Sequence, residues 1–218
     1  MSLLKSASIV SLLTLASRIT GLVRELLIAA AFGASATTDA FNVAFRIPNL
    51  LRRLFAEGAF SQAFVPILAE SRTQQGDQAT HDLVNAVGTV LFVALAITCV
   101  LGVVGAPVLV WVMASGLKES GGFDAAVVMT RWMFPYIGFM SLVALSAGIL
   151  NTWSRFAVPA ATPVLLNLCT IGAALFVAPL FERHGIEPVY ALAVGVMVGG
   201  VLQWGVQVPA LLKIGMAP

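Results

Sequence analysis

Long apolar runs alternate with short polar breaks along this chain, and the lengths of those runs set the first expectation. Residues 83–117, 132–154, 156–181 and 188–212 contain no Asp, Glu, Lys or Arg. Each run reaches the roughly 20 residues that a helix rising about 1.5 Å per residue needs to cross a hydrocarbon core. The pattern predicts transmembrane helices at about 83–113, 125–152, 156–181 and 188–212. The ten-residue rhythm of strands and turns that marks a membrane barrel is missing.

The first third follows a different pattern. Its apolar stretches are interrupted by Arg18, Arg24 and Glu25, then by Asp39 and a mixed charged segment up to Glu70. Phe32-Gly33 is a natural helix stop, and Thr37-Thr38-Asp39 resembles a helix start. Two further membrane helices are predicted at about 4–32 and 37–70, both carrying intramembrane charge. A cleaved signal peptide fits poorly, because the apolar stretch is long and no cleavage-like site precedes Arg18. The expected fold class is thus an all-α polytopic membrane protein of about six helices over residues 1–218, without a soluble domain.

Composition supports the membrane reading. Only 10% of the 218 residues are charged and 59% are apolar, with a mean hydropathy of +0.96. An average soluble domain carries about 25% charge. So few charges exclude an ordinary soluble enzyme, a nucleic-acid binder and a disordered chain. The formal net charge of +2 is too small to point to a polyanionic partner.

Loop cations set the orientation. With a cytoplasmic N-terminus, Lys5, Arg72, Arg155 and Lys213 fall inside, against Lys118 and Arg183 outside. Cys99 and Cys169 lie within apolar runs and read as small packing residues. His81 and His184 are far apart, and no HExxH, GxSxG, P-loop or CxxC is present, so neither an enzyme nor a metal site is expected. Gly195-x-x-x-Gly199 would permit close helix contact, although such spacing is common in apolar helices.

The misplaced charges carry the chemistry. An ionised side chain at the centre of a membrane helix costs about 2.5–3.5 kcal/mol on insertion scales. Arg18, Arg24, Asp39 and Arg52 must therefore face protein or a watery cavity rather than lipid. Asp39, Arg46, Arg53 and Glu57 share one face of a regular helix, while Asn42, Asn49 and Arg52 occupy another arc. Arg18 and Arg24 are about 120° apart on a straight helix, and Thr20-Gly21 between them could loosen the turn so that both point inward. Pro48 interrupts the second helix, and broken membrane helices are tolerated where they line a cavity.

Residues 1–72 hold seven basic and four acidic side chains, so nearby carboxylates cannot neutralise every arginine. Arginine forks suit carboxylate and phosphate groups, which suggests a transporter or flippase for an anionic, phosphate-bearing substrate. Structural ion pairs between helices are the competing reading. A voltage sensor would want arginine at every third position, which 18, 24, 46, 52 and 53 do not provide.

Several motifs carry a resemblance to a known family. They are Thr37-Thr38-Asp39-Ala40-Phe41 and the run Phe45-Arg46-Ile47-Pro48-Asn49-Leu50-Leu51-Arg52-Arg53 through Glu57-Gly58-Ala59-Phe60-Ser61-Gln62-Ala63-Phe64-Val65-Pro66. Ser17-Arg18, Gly21-Leu22-Val23-Arg24 and Gly148-Ile149-Leu150-Asn151-Thr152-Trp153 fit as well. The chain resembles the MurJ (MviN) family of lipid II flippases, within the multidrug/oligosaccharidyl-lipid/polysaccharide (MOP) exporter superfamily.

The resemblance implies one lobe of a V-shaped, two-lobed exporter in the bacterial inner membrane. Such a protein moves lipid II, the undecaprenyl-pyrophosphate-linked disaccharide-pentapeptide of peptidoglycan biosynthesis, from the cytoplasmic to the periplasmic leaflet by alternating access. It implies a cationic cavity formed by Arg18, Arg24, Asp39, Asn49 and Arg52, with Arg53 and Glu57 at a gate or in an ion pair. No cofactor is expected; the membrane potential or a bound ion would act as coupling agent. The family has fourteen helices, so this chain would match the N-terminal lobe only, and such a lobe alone is expected not to flip lipid. A polysaccharide-lipid flippase or drug/ion antiporter of the same superfamily, and a purely structural lobe, are the alternatives.

Overall fold

The computed structural model describes residues 3–52 and 59–217, with side chains described over 7–50 and 62–217. Every element among the described residues is helical. In chain order they are α1 (Leu3–Phe32), α2 (Ala36–Arg52), α3 (Ala59–Gln74), α4 (Gly76–Val104), α5 (Ala106–Met113) and α6 (Leu117–Ser120). There follow α7 (Phe123–Met133), α8 (Tyr136–Thr152), α9 (Ala157–Gly172), α10 (Ala178–Arg183), α11 (Tyr190–Gly205) and α12 (Val208–Ile214). Among the described residues, four helical stretches, Gly76–Val104, Phe123–Thr152, Ala157–Arg183 and Tyr190–Ile214, are long and apolar enough to cross a membrane. α1 is a single helix of 30 residues, about 45 Å long.

Proline decides where the long apolar runs bend. Pro107 has no N–H and its ring would collide with the carbonyl a turn earlier, so the helix closes at Gly105 and restarts as α5. Pro135 divides α7 from α8, and Pro209 follows the break between α11 and α12. Ahead of Pro179 the backbone adopts a π-helical stretch at Ala173–Val177, joining α9 to α10. Pro48 behaves differently from the expected interruption: α2 runs through it, and its ring is buried. The start of α2 also differs from Thr37-Thr38-Asp39. Ser35 Oγ accepts the Thr38 N–H at 3.2 Å, so Ser35 is the capping residue.

Packing arranges these helices around a central pair. The α7–α8 span is the innermost, with 72% of it buried within the protein, whereas only 17% of the α4 span is covered. α4 turns Phe92, Val100 and Val104 outward, the last 72% exposed. Such a continuous apolar face is stable in lipid and not in water. α9 lies between α1 and α11, α2 rests on α7, and α3 packs on α4 and α8. The core at this junction contains Phe41, Ala44, Met129, Met133, Tyr136, Leu192 and Val196. A second cluster at the α3–α8–α12 end holds Phe64, Leu68, Leu145, Ile149 and Leu211.

Two glycines set the closest approach. A Cβ on Gly195 would sit 2.8 Å from Ala173 Cβ and 2.9 Å from Thr170 Cα, and one on Gly199 would sit 2.9 Å from Leu166 Cδ1. The small-residue spacing noted in the sequence is therefore the seam where α11 meets α9.

Candidate functional site

A cavity of about 430 Å³ opens between α1, α2, α8, α9 and α11. Its wall is mixed rather than greasy. Ser17 and Arg24 come from α1, Asn49 from α2, Asn151 from α8, Thr162 and Asn167 from α9, and Gln203 from α11. Phe45, Tyr136, Met140 and Leu166 supply the apolar part.

Arg24 is the cation on this wall, with a side chain 19% exposed. Its Nη1 donates to Asn167 Oδ1 at 2.9 Å, and its Nη2 pairs with Glu25 Oε1. Asn167 is itself nearly buried, and its Nδ2 donates to the Ser17 carbonyl at 3.0 Å and to Thr20 Oγ1 at 3.1 Å. The Asn167 amide is thereby oriented with its oxygen toward the guanidinium. Thr20 in turn donates to the Ala16 carbonyl at 2.8 Å, within an unbroken helix. Among the described residues the Arg24–Glu25 contact is the side-chain ion pair, and it links neighbours on one helix rather than two helices.

A second polar group lies across the cavity. Gln203 Nε2 donates to the Thr162 carbonyl at 3.0 Å, and the Tyr136 hydroxyl donates to Gln203 Oε1 at 3.4 Å. Thr162 Oγ1 donates to the Pro159 carbonyl at 2.8 Å. That carbonyl loses its usual helical donor because Pro163 has no N–H. The threonine thus repairs the broken turn that faces the cavity.

The residues expected from the sequence divide. Arg24 and Asn49 are brought to one cavity. Arg18 is exposed and does not line it: with no loosening at Thr20-Gly21, α1 carries Arg18 round to another side. Asp39 is exposed in the first turn of α2, where a carboxylate complements the positive end of the helix dipole. Asn42, exposed on α2, reaches a small adjoining hollow with Arg24 and Glu25. The Arg52 side chain, Arg53 and Glu57 lie outside the described residues. Asn167, Gln203, Tyr136 and Thr162 were not anticipated. Their signal was an amide or hydroxyl standing inside a charge-free run, where it has to face the bundle interior.

An all-helical membrane bundle whose broken spans enclose a cavity lined by amides, hydroxyls and one arginine is one lobe of a MOP-superfamily exporter fold. The profile of the family described as "Lipid II flippase MurJ" matches residues 28–218, and the chain belongs to that family. It is 60% identical over its full length to the lipid II flippase MurJ of Burkholderia cenocepacia and spans 42% of that protein. It is 42% identical to the probable lipid II flippase MurJ of Vibrio cholerae over 98% of this chain, again 42% of the relative. A solved structure titled "Lipid II flippase MurJ, inward closed conformation" superposes with a TM-score of 0.73 at 28% identity, covering 94% of this chain and 42% of that one. The chain thus spans less than half the length of the relatives it matches.

Proposed function

We propose that this chain forms the N-terminal lobe of a flippase that carries lipid II from the cytoplasmic to the periplasmic leaflet of the bacterial inner membrane. Its N-terminus is cytoplasmic. The pyrophosphate docks on Arg24, assisted by Arg18 and Arg52 when the cavity is complete. Asn49 and the neutral amides hold the sugar-peptide head group. Arg53 and Glu57 serve the gate, and Asp39 joins the cavity when the second lobe completes it. The polyprenyl tail stays in lipid, so only the polar head crosses.

The observation that carries this reading is the half-buried Arg24 on a cavity of about 430 Å³ whose remaining polar lining is mostly uncharged. The anion that Arg24 already meets, Glu25, is exposed and weakly held, and the guanidinium fork matches the phosphate oxygens that would replace it. The process is transport: the cavity offers binding groups, and the substrate leaves chemically unchanged. The membrane potential supplies coupling, because a negative interior favours outward movement of an anion by about 2.3 kcal/mol per charge per 100 mV.

The test is lipid II flipping by the intact protein in proteoliposomes. Arg24→Ala should abolish it at unchanged membrane insertion, and an inside-negative potential should speed the wild-type protein. Full flipping by the Arg24 variant would return these charges to a structural role.

A further inference from the structure

We infer that Asn167 is the positioning residue of the anion site: an uncharged tether that fixes the Arg24 guanidinium in the cavity wall. The inference rests on the reading of Arg24 as the group that meets the pyrophosphate. It starts from a contact between residues 143 positions apart, Arg24 Nη1 to Asn167 Oδ1 at 2.9 Å. An arginine side chain has several rotatable bonds, and holding it in one geometry costs rotamer entropy. A partner that holds it in advance removes that cost from substrate binding.

Asn167 is built for this. Its two amide donors are directed at α1, to the Ser17 carbonyl at 3.0 Å and Thr20 Oγ1 at 3.1 Å. With those bonds made, only the oxygen is left to face Arg24, so the acceptor is fixed before any ligand arrives. The residue is 6% exposed, and both it and Arg24 line the same cavity. The chemical choice matters as much as the geometry. A carboxylate also meets Arg24, Glu25 at Nη2, but its side chain is 63% exposed, so a substrate anion can take its place while the buried amide keeps its hold. An amide accepts the hydrogen bond without neutralising the cation.

The experiment measures lipid II binding to the intact protein in detergent, for wild type and for Asn167→Ala, each with Arg24 present and with Arg24→Ala. A hydrogen bond to a charged group is worth about 1.5–3 kcal/mol, so Asn167→Ala should weaken binding roughly tenfold or more when Arg24 is present. In the Arg24→Ala background the same change should have little further effect, because the tether has nothing to hold. Equal loss in both backgrounds, or no loss in the first, would overturn the inference while leaving the anion site in place. Undiminished binding by Arg24→Ala alone would overturn the anion site and the tether with it.

Discussion

At the scale of single residues, a side chain can repair a helix that proline breaks. Thr162 is an instance: its hydroxyl takes over the Pro159 carbonyl that Pro163 leaves without a helical donor. Thr162→Val keeps the shape and removes that donor, so it should lower the stability of the purified protein by about 1 kcal/mol, read as a fall in melting temperature in detergent. An unchanged melting temperature would mean that the carbonyl finds another partner. Charge misplacement made Arg24 visible in the sequence, since an arginine inside an apolar helix has to be explained. Asn167 was not visible in that way. One asparagine in a long apolar run has the same composition whether it packs idly or holds a cation. Only the meeting of α1 with α9 distinguishes the two. Arg18 is less simple: on the unbroken α1, where Thr20 is bonded back into its own helix, it does not line the cavity that Arg24 lines.

At the scale of elements, hydropathy marks apolar runs and is blind to their breaks. A run such as 83–113 scores as one apolar helix, although Pro107 ends its hydrogen-bond ladder and Gly105 closes the first segment. The same blindness hid the π-helical stretch before Pro179. Helix pairing was legible only as a permission: Gly195 and Gly199 allow close contact without saying with what. In the fold the partner is α9, and the absence of a side chain is what seats α11 against it. Gly195→Ala would push a methyl group to 2.8 Å from Ala173 Cβ and 2.9 Å from backbone at Thr170, neither of which can turn away. The helices must separate, and a loss of about 1–3 kcal/mol is expected. Gly172→Ala is the control, since nothing lies within 4 Å of a Cβ there. It should be neutral or stabilising by about 0.5–1 kcal/mol through the helical preference for alanine. Parallel thermal melts of the two variants check both signs; equal behaviour would show that the seam does not depend on glycine.

At the scale of the whole molecule, the question is what one lobe can do. Its helices are tied into one body by the α9–α11 seam, the Asn167 bridge to α1 and the Gln203 bridge to α9. The end where α3 meets α8 is fastened separately: Arg72 donates to the Thr152 carbonyl at 2.8 Å and lies 4.4 Å over the Trp153 ring. A body held in this way offers a fixed wall with a binding group on it. Alternating access requires that such a wall move against a second one, so that the site opens first to one side and then to the other. The curated relatives are long enough to contain that second wall, since this chain accounts for 42% of their length. Residues 1–218 expressed alone should therefore insert in the membrane and retain Arg24 in its place, and should fail to flip. Reconstituted in vesicles, they are expected to leave lipid II movement at the rate of protein-free vesicles. Flipping above that background would show that the lobe, or a dimer of it, completes the cycle by itself, and the two-body mechanism would then have to be abandoned for this chain.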